Sequence, residues 1–120
     1  MSIEEIAAKM IPSDLDLWNQ LVSEVEHDSH ELRNILPSSR VDLFARTSGD
    51  SFRLRSVDVN LGVKREPARV IWNRGREFGP GVMPRYDSGA LDIISGSYYW
   101  NRQQFPTIKD AALYLLGLLT

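Results

Sequence analysis

Val41-Asp42-Leu43-Phe44-Ala45-Arg46-Thr47-Ser48-Gly49-Asp50-Ser51-Phe52-Arg53-Leu54-Arg55 is the stretch whose reading decides the fold. Val41, Leu43 and Ala45 alternate with polar or aromatic neighbours, Thr47-Ser48-Gly49-Asp50 supplies turn residues, and Phe52 and Leu54 resume the alternation. Successive strand side chains leave opposite faces of a sheet. This two-residue period therefore predicts a β-hairpin with an apolar face and a face carrying Arg53 and Arg55.

Working back from the hairpin, the period becomes helical. Ser2 and Glu5 have capping-box spacing, and Ile3, Ile6, Ala7 and Met10 recur at three- and four-residue steps, which predicts a short first helix ended by Pro12. Ser13 offers a second N-cap, with Asp14 and Asp16 placed where the helix dipole favours acids. Leu15, Trp18, Leu21, Val22, Val25 and Leu32 then fall on one stripe, so a long helix is predicted over residues 13–35, stopping before Pro37.

Working forward, the apolar residues slip by one position to Val57, Val59, Leu61 and Val63, which requires a bulge or strand break near Ser56. Val70-Ile71-Trp72 reads as another strand, and Asn73–Gly89, with four glycines and two prolines, as the longest loop. Leu91–Ile94, Ser95-Gly96-Ser97 and Tyr98–Trp100 form a second hairpin. Thr107 and Asp110 cap a final helix striped by Ile108, Ala111, Ala112, Leu115, Leu116 and Leu119. The expected fold is a two-layer α+β domain over residues 1–120: an antiparallel meander of about five strands, with N-terminal helices and a C-terminal helix packed on one face.

Composition sets the class. With 120 residues, 42% hydrophobic and 25% charged, the chain suits one globular domain. Zero cysteines exclude disulfides, thiolate nucleophiles and zinc–thiolate or iron–sulfur sites. Glu4 and Glu5 stand where a secretory signal carries positive charge, and Ala111–Leu119 is far shorter than the roughly 20 residues that cross a bilayer. A cytoplasmic protein without membrane contact is expected. The formal charge of -2 is unevenly spread: residues 1–36 carry net -6, and residues 37–102 carry net +4. An acidic helical face and an arginine-rich sheet complementing each other within one fold explain that asymmetry more simply than a partner does.

Few residues offer chemistry. His27 and His30 are the only histidines, and Glu24 with His27 has the Glu-x-x-His spacing of di-iron bundles, but His27 lies roughly 180° from the apolar stripe and is expected in water, paired to Glu31 four residues on. No metal site and no cofactor are expected. No Gly-x-Ser-x-Gly elbow occurs, so no catalytic residue is assigned; an enzyme would need carboxylates such as Asp87 and Asp92 to converge with arginines near the 74–89 loop.

Glu66-Pro67-Ala68-Arg69-Val70-Ile71-Trp72 resembles the segment of frataxins in which a proline precedes an Ile/Val–Trp pair. The resemblance covers seven residues. It implies iron-linked binding through the acidic helix residues and the Trp72 strand, without an active site in the usual sense, and belongs to the small-ligand or metal-binding alternative.

The leading expectation is a non-catalytic protein-interaction module. If Phe52, Leu54, Val70, Trp72, Leu91, Ile93 and Tyr98 face the helices, then Arg53, Arg55, Arg69, Ile71, Ile94 and Tyr99 face outward together. Arginine interleaved with aromatic and apolar residues is typical of binding surfaces. Asp58 and Asp92 interrupt the strands and the net charge is negative, so an acidic protein surface is expected as partner rather than nucleic acid. Leu113, Tyr114 and Leu118 leave the last helix apolar nearly all round, which points to self-association, as a homodimer, through that helix or a sheet edge.

Overall fold

Three side-chain hydroxyls set where the helices begin. The Oγ of Ser2 accepts from the N–H of Glu5 at 3.1 Å, opening α1 (Ile3–Met10), and the Oγ of Ser13 accepts from the N–H of Asp16 at 3.1 Å, opening α2 (Asp14–Ile35). The Oγ1 of Thr107 accepts from the N–H of Asp110 at 3.2 Å and opens α3 (Ile108–Gly117). Each cap satisfies a backbone donor that has no partner within its helix. The computed structural model describes residues 1–36, 41–76, 80–81 and 83–120, with side chains in the first strand from Phe44 onward. The alternation expected of Val41 and Leu43, and the middle of the expected long loop, lie outside the described residues.

Among the described residues seven strands form one antiparallel sheet in sequential order: β1 (Val41–Ser48), β2 (Ser51–Ser56), β3 (Val59–Glu66), β4 (Arg69–Arg76), β5 (Arg85–Ile94), β6 (Ser97–Trp100) and β7 (Gln103–Gln104). The architecture is the expected α+β meander, with two more strands than expected. The register change near Ser56 is met by ending β2 there and starting β3 at Val59. The irregularities fall in β1 instead, between Asp42 and Ala45 and between Arg46 and Ser48.

Most of the expected long loop is a β-ribbon. β4 pairs with β5 without interruption from Arg69↔Asp92 to Arg76↔Arg85. Glycine misled the reading because two of the glycines act as close-approach positions inside strands. Gly75 lies beneath the Tyr86 ring, and a Cβ added at Gly89 would sit 2.6 Å from Cζ2 of Trp72. The tight connection Glu66-Pro67-Ala68-Arg69 places Ala68 at φ 60° and donates the N–H of Ala68 to Oδ2 of Asp14 at 3.3 Å, tying the start of α2 to one end of the sheet.

The core lies between the inner sheet face and α2 with α3. Trp18, Leu21, Val22 and Val25 of α2 meet Phe52, Leu54, Leu61, Val63, Val70, Trp72, Leu91, Ile93 and Tyr98 of the sheet and Ala111, Ala112, Leu115 and Leu116 of α3. Trp18 stacks on Phe52 at 5.5 Å, and its indole N–H donates to the carbonyl of Gly49 at 2.8 Å, joining helix to hairpin turn. The buried stripe of α2 runs through Leu17 rather than Leu15, which is half exposed, and continues to Asp28 and Ser29. Tyr114 packs on Trp100 and Phe105, and Leu118 is half-buried, so the chain itself covers two of the three off-stripe residues of α3; only Leu113 is left exposed.

The other departure is α1. It has no buried residue, although it was expected to pack with the other helices. Its neighbours Ile11 and Pro12 approach Gly96 in the β5–β6 turn, so α1 stands off the end of the sheet. The molecule measures 63 Å along its longest axis, and its radius of gyration is 16.1 Å, against about 13.6 Å for a compact chain of this length.

Candidate functional site

Strand register sorts the outer face into rows. Reading across β2, β3, β4 and β5, one row is Arg55, Asn60, Gly75 and Tyr86; the next is Arg53, Gly62, Asn73 and Ser88; a third is Ser51, Lys64, Ile71 and Ala90. A fourth row, Glu66, Arg69, Asp92 and Tyr99, runs over β3 to β6. Neighbouring rows are about 7 Å apart. The helices cover only the opposite face, and Arg53, Asn60, Lys64, Asn73, Tyr86 and Ser88 are all exposed.

A hollow of about 740 Å³ lies over the first three rows, lined among others by Arg53, Asn60, Lys64, Tyr86 and Ser88. Its floor owes its depth to Gly62 and Gly75, which put no side chain into it. Gly62 is the informative one. Gly75 is roofed by Tyr86, but a Cβ at Gly62 would meet no atom within 4 Å. Glycine inside a strand costs roughly 0.5–1 kcal/mol relative to alanine, and no close contact among the described residues requires it here. Such a glycine often marks a place where another backbone or a ligand comes close.

Of the six expected contact residues, only Arg53 lines this trough. Arg55 is exposed in the adjoining row, and Ile71 is half-buried. Arg69 is exposed but joined to Glu66 at 3.3 Å and paired in register with Asp92, so its row carries net -1. Ile94 is 53% exposed, and Tyr99 is half-buried towards the β7 edge. All six lie off the helix-covered side, spread over several rows. Asn60, Gly62, Lys64, Asn73 and Tyr86 were missed. Tyr86 and Asn73 read as loop from the sequence, and the glycine signal is legible only when the space above it is known.

Two of the cations that line the trough keep their charge uncompensated. Among the described residues Arg53 and Lys64 have no ion pair, whereas Arg65 is bound to Asp50 at 2.9 Å and Arg74 donates from Nε and Nη2 to the two carboxylate oxygens of Asp87. Arg74 lies on the inner face, 5.5 Å from the Trp72 ring, and also donates to the carbonyl of Leu118 at 3.1 Å, while Arg76 donates to the carbonyl of Thr120 at 2.9 Å. These arginines close the C-terminal end of α3, where carbonyls lack helical donors. The hydrogen bond from Arg74 holds the Asp87 carboxyl below the usual carboxylate range and raises the guanidinium in turn.

The same register disposes of the carboxylate pair. Asp87 pairs with Arg74 on the inner face, and Asp92, five residues on, points to the outer face, so the two do not converge.

His27 is exposed and lies 3.2 Å from Glu31, the expected four-residue pair. Donor atoms of His27, Asp28 and Glu31 come within 4.8 Å of one another. Of these Asp28 is buried; its Oδ1 accepts from Nζ of Lys109 at 3.4 Å, while its Oδ2 has no hydrogen-bond partner among the described residues. The charge of Asp28 raises the Lys109 ammonium, with smaller contributions from Glu24 and Glu31.

Trp72 is buried in the core against Gly89. Comparison of the chain with protein-family models, with curated proteins and with solved structures finds no match in any of the three. The likeness to frataxins thus rests on the Glu66–Trp72 stretch alone. No described helix is long and apolar enough to cross a membrane.

Proposed function

We propose that the chain is a non-catalytic protein-interaction module whose outer sheet face receives an acidic segment of a partner protein. The observation that carries this reading is Gly62: a strand-interior glycine under open space, at the floor of a 740 Å³ trough beside two unpaired cations, Arg53 and Lys64. A close-lying backbone uses the missing Cβ, forked or pointed hydrogen bonds from the cations take carboxylates, and the Tyr86 ring supplies apolar contact area. A cytoplasmic setting suits a cysteine-free interaction module of this kind and is part of the proposal.

Fluorescence anisotropy with labelled acidic peptides, sequence-matched basic peptides and single- and double-stranded oligonucleotides, all at physiological salt, tests it. Acidic peptides are expected to bind wild type and to lose affinity on the Arg53→Glu, Lys64→Glu double change. Tighter binding of oligonucleotides than of any acidic peptide, with steep salt dependence, would refute it.

The metal-binding alternative rests on His27, Asp28 and Glu31. It is the weaker reading because Lys109 already neutralises Asp28. A zinc titration that gives a submicromolar site lost in His27→Ala would reverse that ranking.

A further inference from the structure

The first helix has the opposite problem to the trough. Ile3 and Met10 are 82% and 78% exposed, Ile6 is 40% exposed, and Ile11 and Leu15 continue the patch. On a helical wheel Ile3, Ile6, Ala7 and Met10 share one side, and Glu4 flanks it about 100° round from Ile3. An eight-residue helix is marginal in water, so its apolar side calls for a covering surface. Among the described residues no residue of α1 is buried.

Charge selects the cover. α2, which holds six of the eight acids of residues 1–36, covers the sheet face opposite the cations Arg53, Arg55 and Lys64, while α1 carries Glu4 and Glu5 against Lys9. Among the described residues no ion pair joins these acids to Arg53, Arg55 or Lys64 within one molecule. Between two molecules Glu4 and Glu5 of α1 can meet them. Size agrees: α1 is about 12 Å long at 1.5 Å per residue, and the trough from Asn60 to Lys64 on β3 is about 13 Å.

We propose that α1 of one copy docks in the outer-face trough of a second copy, with Ile3, Ile6 and Met10 over Gly62 and the Tyr86 ring and Glu4 beside Arg53 or Lys64. The proposal rests on the reading of the trough as a docking surface and names its occupant as the chain itself. Reciprocal exchange of the two helices closes the pair as a two-fold dimer and prevents open-ended growth.

Two variants of the full chain separate the halves of the contact. Ile3→Glu with Met10→Glu spoils the apolar side of the helix, none of whose residues is buried, and Gly62→Val fills the trough from a Cβ position with no described atom within 4 Å. Both are expected to keep the wild-type circular dichroism and a thermal midpoint no lower than wild type. In sedimentation velocity across the micromolar range, wild type is expected as a dimer and each variant alone with its dissociation constant raised about tenfold or more. An equimolar mixture of the two variants is expected to associate, because the intact helix of one meets the intact trough of the other. A monomeric wild type, or a mixture no more associated than its components, overturns the proposal. If wild type is monomeric yet acidic peptides still bind in a Gly62-sensitive way, self-docking fails and the reading of the trough stands. If Gly62→Val leaves both peptide binding and oligomeric state untouched, both fall.

Discussion

Gly62 and Gly89 sit in neighbouring stretches of one sheet, and replacing each by alanine is expected to move stability in opposite directions. Gly62 faces outward under open space and has no left-handed backbone requirement. Alanine there reduces the freedom of the unfolded chain and is expected to stabilise by about 0.4–1 kcal/mol. Gly89 faces inward in register with Trp72, and its new Cβ would lie 2.6, 2.7 and 2.9 Å from Cζ2, Cε2 and Nε1 of the indole. Trp72 is 4% exposed and packed on all sides, so it cannot yield the missing distance without displacing the core. Overpacking of this kind costs about 1–3 kcal/mol. The two variants should therefore differ by roughly 1.5–4 kcal/mol, or about 6–16 °C in thermal midpoint at ~4 °C per kcal/mol for a chain of this size. Differential scanning calorimetry, with urea unfolding followed by tryptophan fluorescence, measures it. A Gly89→Ala protein as stable as Gly62→Ala would refute the assigned faces of β3, β4 and β5.

Trp18→Phe removes the indole donor to the Gly49 carbonyl and is expected to lower unfolding free energy by about 1–3 kcal/mol in urea titrations. Tyr98→Phe is expected to stabilise by up to about 1 kcal/mol, because the Tyr98 hydroxyl is buried without a partner among the described residues, and burial also pushes its ionisation upward. The Asp87 carboxyl is held below its ordinary value by Arg74, so its contribution is present above the unfolded carboxylate range and is lost as pH falls through the lower folded value. Wild type and Asp87→Asn should thus differ in midpoint at neutral pH and converge in acid, as pH-dependent calorimetry would show; at 48% exposure of the Asp87 side chain the difference is small. Lys109→Met leaves Asp28 buried without its cation and is expected to lower the midpoint, with recovery in the Asp28→Leu, Lys109→Met pair measured by the same scans.

The elements legible in the sequence are those whose information is local. Ser2, Ser13 and Thr107 cap helices through donors three residues away, and the two- and four-residue apolar periods place β2, β3 and the buried stripes of α2 and α3 on their correct faces. The outward direction of Arg53 and Arg55 follows from the same alternation. The rest depends on atoms distant in the chain. Glycine in Asn73–Gly89 reads as loop until Trp72 and Tyr86 are seen to fill the space against Gly89 and Gly75, at which point the segment is strand. Asp28 has no partner that the α2 sequence announces, and only the packing of α3 brings Lys109 against it. The α1 pattern predicts a helix correctly but says nothing about whether a surface lies opposite its apolar side, because periodicity encodes a face and not its cover. The trough follows the same rule: a strand interior tolerates or uses a glycine according to what stands above it, and only the register of four strands shows that above Gly62 there is open space.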